Sequence, residues 1–133
     1  MEGFTVTAGK DTRYGLLAPL ITRSKFSDLK FYGGSVGGFK IGGWINSIVD
    51  CRFGNIPGNA ALVIEGQANA IDVVRCSFEG NLGAAILVNG ADNVRLESNT
   101  IEGNGGPGVV ANGVDALSLR SNYFVRATSP TYL

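Results

Sequence analysis

A pattern that repeats every 22 to 25 residues is the feature that most constrains the fold of this chain. Each copy contains a short segment centred on a large apolar residue and usually followed by Gly or Asn. These central residues are Phe31, Phe53, Phe78, Ile101 and Phe124, so the steps are 22, 25, 23 and 23 residues. Internal repetition at such a period indicates a solenoid or another repeat architecture.

Within each repeat, apolar and polar residues alternate over short segments such as Val94–Leu96 and Leu117–Leu119. This alternation is typical of β-strands, and no segment keeps a helical period for ten residues. Short strands without intervening helices are expected to coil, so that each strand pairs with its copy ~4.8 Å away. The sequence therefore predicts an all-β, right-handed parallel β-helix of about five coils over residues 15–126. Residues 1–14 are expected to form a cap or partial strand, and residues 127–133 a tail.

In-register pairing predicts which residues stack inside the coils. The expected apolar stacks are the five central residues above, then Phe39, Leu62, Ile86 and Val109, then Ile41, Ile64, Val88 and Ala111. A Gly column at positions 43, 66, 90 and 113 suits turns with positive φ. We also expect Asn99 and Asn122 to form an inward ladder. Cys51 and Cys76 share one column, where buried free thiols fit better than a disulfide.

A leucine-rich repeat is the alternative fold. Val94, Leu96, Asn99 and Ile101 match the spacing of that repeat. However, it needs a helix or another convex segment after each strand, and here the following stretch, residues 103–108, contains four glycines and one proline. The β-helix is therefore favoured.

Composition excludes several classes of function. The chain has no His, which removes the commonest general base and metal ligand, and its two Cys residues cannot complete a usual zinc site. Lys plus Arg equals Asp plus Glu, 11 against 11, so a basic nucleic-acid footprint or polybasic membrane patch is not expected. No apolar run approaches the length of a membrane span.

Outward charged residues fall opposite one another in the predicted register. Three opposite-charge pairs are expected to be structural: Asp50 with Arg75, Asp72 with Arg95, and Glu97 with Arg120. Two like-charge stacks, Glu79 with Glu102 and Asp92 with Asp115, are destabilising and therefore invite a functional interpretation. Glu79 and Glu102 are the candidate catalytic carboxylates for glycoside cleavage, and such oxygen clusters can also hold Ca²⁺. The alternative is that both stacks are repeated turn residues.

Lys40, Val63, Leu87 and Val110 form an outward column that is apolar at three positions. Such a stripe is either a subunit interface or is covered by N-terminal residues. The candidates for this cover are Phe4, Val6, Leu20 and Ile21. Open strand edges are expected at both ends of the coil, with Arg126–Pro130 as a cap at one of them. We therefore expect a homo-oligomer through the stripe or the ends, or a chain that is part of a longer β-helix.

The repeats resemble those of the pectate-lyase-like superfamily of parallel β-helices, over about residues 15–126 and most closely over 60–126. That resemblance implies the fold and, more weakly, contact with a polysaccharide. The superfamily's His-dependent sites cannot be present here, and no motif matches its Asp/Glu calcium cluster with an Arg base. The first hypothesis is thus a non-catalytic module for self-assembly or carbohydrate contact. The alternative is a polysaccharide lyase or hydrolase.

Overall fold

The structure, a computed structural model, describes residues 1–125, and all regular secondary structure in this range is β-strand. The strands are Thr5–Ala8 (β1), Tyr14–Thr22 (β2), Lys25–Ser27 (β3), Lys30–Gly33 (β4), Gly37–Val49 (β5), Arg52–Gly54 (β6), Ala60–Glu65 (β7), Asn69–Val74 (β8), Ser77–Glu79 (β9), Ala84–Asn89 (β10), Asp92–Glu97 (β11), Thr100–Glu102 (β12), Val109–Asn112 (β13), Asp115–Arg120 (β14) and Tyr123–Val125 (β15). Because no helix follows a strand anywhere in this range, the leucine-rich repeat is wrong for this chain.

The strands form three parallel rows along the axis of a solenoid. The first row is β2, the N-terminal part of β5, β7, β10 and β13, and the second is β3, the C-terminal part of β5, β8, β11 and β14. The third row is a separate six-stranded sheet, β1-β4-β6-β9-β12-β15. The predicted parallel β-helix of about five coils is therefore confirmed.

The predicted register is confirmed at the inward stacks. Leu62 pairs with Phe39 on one side and Ile86 on the other, and Phe53 pairs with Phe31 and Phe78. The Phe31 and Phe53 ring centroids are 4.8 Å apart and those of Phe53 and Phe78 are 4.6 Å apart, with interplanar angles of 12° and 7°. These distances match the spacing of neighbouring strands. Three successive coils therefore each place a phenyl ring of this stack in the core, and Ile101 takes the same position in the next coil.

Bends between rows place at least one residue of each coil in the left-handed conformation. At the bend from the second row to the third, these residues are Asp28, Asp50, Arg75, Ser98 and Ser121, with φ from 52° to 57°. At the bend from the first row to the second, they are Arg23, Ile45, Ala70, Asn93 and Ala116. The predicted Gly column also has positive φ, from 57° to 83°. The sequence did not predict the other two columns, because positive φ is uncommon outside glycine.

Buried asparagines link successive coils. Asn99 Nδ2 donates to Asn122 Oδ1 and to the Val73 carbonyl, both at 3.0 Å, and Asn99 Oδ1 accepts from the Cys76 backbone N–H at 2.9 Å. This ladder was predicted. A second ladder was not, because Asn81 and Asn104 resembled ordinary turn residues: Asn81 Nδ2 donates to Asn104 Oδ1 at 2.8 Å.

The N-terminal end of the solenoid is less open than the sequence indicates. Strand β1 pairs in register with β4, so the first 14 residues do contribute a strand. The edge strand β2 has an irregular register between Ala18 and Ile21, and this irregularity contains Pro19. Bulges and prolines hinder pairing of an edge strand with another chain. The expected C-terminal cap, Arg126–Pro130, lies outside the described residues.

Candidate binding groove

A polar groove of about 370 Å³ runs across successive coils at the bend between the second and third rows. Its lining includes the left-handed residues Asp28, Asp50, Arg75 and Ser98. The left-handed conformation turns the chain sharply at these positions, so the same corner recurs in each coil. Stacked corners thus create a continuous polar channel rather than a closed cavity.

One wall of the groove is a column of outward side chains on the third row. Strand pairing aligns Lys30 with Arg52, Arg52 with Ser77, and Ser77 with Thr100. The next residue in this column is Tyr123, which is 64% exposed. Each coil therefore contributes one hydrogen-bonding side chain at ~4.8 Å intervals, and the column ends in an accessible aromatic ring.

The charges in the groove are only partly paired. Arg75 Nε donates to Asp50 Oδ1 at 2.8 Å and Nη2 donates to Oδ2 at 3.2 Å. This hydrogen bonding to Arg75 lowers the pKa of Asp50 and raises the pKa of the guanidinium. Within residues 1–125, Lys30 and Arg52 have no ion-pair partner. In this range the groove thus presents two unpaired cations and one unpaired carboxylate, Asp28, so its lining has a net charge of +1 (three cations and two carboxylates) that can attract an anionic group.

Two of the three expected ion pairs are present. Asp50 pairs with Arg75, and Asp72 pairs with Arg95. Glu97 does lie opposite Arg120 in the register, but its carboxylate contacts Arg95 at 3.5 Å on its own strand. The register of Glu97 was predicted correctly, but its ion-pair partner was not, because Arg95 is within reach of the carboxylates of both Asp72 and Glu97.

Two buried thiols lie behind the groove. Cys51 and Cys76 are free, and their exposures are 3% and 2%. Their Sγ atoms donate to backbone carbonyls at 3.4 to 3.6 Å. The hydrogen bond between the two thiols lowers the pKa of Cys51 and, together with burial, raises the pKa of Cys76. The burial of both thiols therefore fits the predicted role of small apolar core residues.

The candidate carboxylates lie beside the groove and not in its lining. Glu79 and Glu102 pair in register and are both exposed on the third row. Asp92 and Asp115 likewise face each other, on the second row. Within residues 1–125, no group of three or more His, Cys, Asp or Glu side chains is arranged to hold a metal ion. The Glu79 and Glu102 pair is thus brought together, but in the described part of the chain it has no third His, Cys, Asp or Glu beside it.

The outward apolar stripe is partly buried by adjacent side chains. Val63 is only 4% exposed and packs with Ala60 and Ala84, while Tyr14, Leu87 and Val110 are partly buried against this cluster. Lys40, at the base of the stripe, forms an ion pair with Glu65. Association through Val63, Leu87 and Val110 stays a prediction, although little of Val63 is accessible.

The N-terminal residues that the sequence offered as a cover for this stripe do not cover it. Val6 and Ile21 pack against the main core inside the coil, and Phe4 and Leu20 are 45% and 74% exposed. Tyr14 is the N-terminal residue that contacts the stripe. Its ring lies over Gly37, where an added Cβ would be only 3.0 Å from Tyr14 Cε1. The absence of a side chain at Gly37 makes room for this contact.

The groove was missed from the sequence, although a signal for it exists. The residue just before each central apolar residue gives the column Lys30, Arg52, Ser77, Thr100 and Tyr123. The positions two residues further upstream give the left-handed corner. The register was sufficient to place both columns on the surface, but not to show that the bend between them is concave.

Comparison with protein families gives one match. The family model described as a right-handed β-helix region matches residues 17–131. The searches of curated proteins and of solved structures found no match. Within residues 1–125, no helix is long and apolar enough to cross a membrane.

Proposed function

Because the chain belongs to the right-handed β-helix family, we propose that it is a non-catalytic β-helix module that contacts a carbohydrate chain through the polar groove. The observation that carries this proposal is the column of hydrogen-bonding side chains from four successive coils, next to an exposed tyrosine. A polysaccharide is itself a linear repeat, so it can lie along the solenoid axis and meet a similar set of groups at each coil.

The chemistry of the groove favours an anionic polysaccharide. The Lys30 ammonium and the Arg52 guanidinium are exposed donors, and guanidinium groups bind carboxylates or sulfates in a bidentate manner. Ser77 and Thr100 can both donate to and accept from sugar hydroxyls. The exposed ring of Tyr123 has an apolar face and a polar hydroxyl, which suits a sugar ring that is apolar on one face.

A second candidate function is cleavage of the same polymer. It is supported by the pairing of Glu79 with Glu102, because two carboxylates this close can act together in retaining glycoside hydrolysis. The non-catalytic function is favoured because both carboxylates are exposed and lie outside the groove lining.

Affinity electrophoresis in gels containing neutral or anionic polysaccharides tests the proposal. We expect an anionic polymer to retard the chain, and the Lys30→Ser/Arg52→Ser variant to lose most of this retardation. Both substitutions introduce serine, which the column already contains at Ser77, so the fold should tolerate them. Lys10→Ser/Arg13→Ser is the matched control, since it also removes two positive charges and both residues are exposed and outside the groove lining. Equal retardation of all three proteins would contradict carbohydrate contact through this groove. So would a wild-type chain that no polymer retards.

A further inference from the structure

Trp44 and Ile45 form an exposed apolar pair at the bend between the first and second rows. Their exposures are 44% and 55%. Ile45 has φ of 59°, a conformation that is a genuine outlier for a β-branched residue. The isolated chain gains neither burial nor a relaxed backbone from an isoleucine at this position. Every coil has a left-handed residue in this column, so the bend explains the φ of Ile45 but not the choice of isoleucine, and an exposed apolar pair suits a covered surface.

The same bend carries opposite charges on either side of this pair. Arg23 lies one coil below Ile45, because Thr22 pairs with Trp44. Asp92 lies two coils above Trp44, through Asn69. Both charged residues are exposed, and neither has an ion-pair partner within residues 1–125. Asp92 also faces Asp115, a like-charge contact that a cation would relieve.

Between the apolar pair and Asp92 lies a position with a small side chain. Ala70 occupies the bend one coil above Ile45 and is only partly exposed. A methyl group there leaves space that the larger side chain of an isoleucine can fill. The column of Ile45 contains Arg23, Ile45, Ala70 and Asn93, one per coil, and Asp92 lies beside Asn93 in the neighbouring column. The edge therefore runs from a cation, through a large apolar residue and a small residue, to an anion.

We propose that a second copy of this chain covers this edge in an antiparallel, two-fold arrangement. With the two-fold axis between the second and third coils, Ile45 lies against Ala70 of the partner subunit, and Arg23 lies opposite Asp92 of the partner subunit. Arg23 lies one coil before Ile45, and Asp92 lies one coil after Ala70. The same two-fold axis therefore brings both pairs of residues together. A two-fold interface requires such a self-complementary surface, which is why a second copy fits better than an unrelated partner.

Sedimentation velocity of the full chain over a concentration series tests this dimer. Trp44 is the single tryptophan of the chain, so its fluorescence emission should shift to shorter wavelength as the dimer forms. Ile45→Asn should weaken dimerisation roughly tenfold or more. The variant should fold at least as well as the wild type, because Asn accepts positive φ more readily. Leu87→Asp, in the apolar stripe, is the control and should leave the dimer intact.

Charge exchange tests the orientation. Arg23→Asp and Asp92→Arg should each weaken the dimer, whereas the double variant, or a mixture of the two single variants, should restore it. A wild-type chain that stays monomeric up to its solubility limit would overturn the proposal. So would a dimer that is lost in Leu87→Asp and kept in Ile45→Asn. Single variants that neither the double variant nor the mixture rescues would overturn the antiparallel arrangement.

Discussion

Arg95 lies directly opposite Asp72 across one coil boundary, and its Nη2 atom is 2.9 Å from Asp72 Oδ2. A second contact joins Arg95 Nε to Asp72 Oδ1 at 3.2 Å, so the pair is bidentate. The two residues are 23 positions apart in the sequence, and only the coil register brings them together. This surface pair therefore provides a direct solution test of the register.

Charge reversal at Arg95 should destabilise the fold modestly. Arg95→Glu would place three carboxylates together, because Glu97 also contacts Arg95, and should lower the free energy of unfolding by about 1 kcal/mol. Both partners are nearly half exposed, so solvent screening keeps the effect small. Adding Asp72→Arg should recover part of the loss in urea denaturation. Strictly additive effects would contradict the register.

Removal of the Asn99 side chain should lower the free energy of unfolding far more than charge reversal at Arg95. Asn99→Ala leaves the buried Cys76 N–H and the Val73 carbonyl without their partners, and each such loss costs about 1–3 kcal/mol. Asn93→Ala, in the preceding strand β11, is the control. Asn93 is exposed, and its bend column already contains alanine at positions 70 and 116. Equal losses in thermal or urea unfolding of the two variants would show that the buried ladder is not a major contributor.

Cys76 should be inert in the folded chain. The hydrogen bond with Cys51 and burial raise the pKa of Cys76, so the folded state keeps this thiol protonated at neutral pH. Iodoacetamide should label it only after denaturation, as judged by mass spectrometry. A raised pKa contributes stability that is present below the ordinary thiol pKa of about 8.5 and is lost as the pH rises above it. Cys76→Ala should reduce that alkaline loss, and rapid labelling of Cys76 at neutral pH in the folded chain would contradict the buried, protonated thiol.

We expect no strong glycan cleavage from this chain. Glu79 and Glu102 are exposed, with no third group arranged around them within residues 1–125, and the absence of His removes the usual acid–base partner. A screen of acidic and neutral polysaccharides for reducing ends should detect no turnover. Turnover that Glu102→Gln abolishes without unfolding the chain would favour the enzymatic function instead.

The sequence predicted the coil, the register and the core because these depend on repetition. Every apolar stack centred on Phe53 or Leu62 follows from aligning the repeats, since in-register pairing makes equivalent positions neighbours. The ladder of Asn99 and Asn122 follows from the same alignment. These features need no knowledge of how sharply the chain bends between strands.

The candidate site was harder to predict because it depends on the bends. Asp50, Arg75 and Ile45 adopt positive φ without being glycine, and no composition signal marks such residues. The groove exists only because Asp50 and Arg75 turn the chain at a corner. The partial burial of the stripe was missed for a related reason, because Tyr14 reaches Gly37 from the preceding coil.

The stack of phenyl rings has a consequence for how the chain opens. Phe53 stacks on Phe31 and Phe78, one coil away on either side, and Phe31 also stacks on Phe39, so local stability is largely a sum of contacts between neighbouring coils. A coil in the middle has two neighbours, whereas a terminal coil has one. Amide hydrogens near Phe53 should therefore exchange with solvent most slowly, and those of β2 among the fastest. Such a molecule would fray from its ends inward, while its centre remains closed until the whole solenoid unfolds.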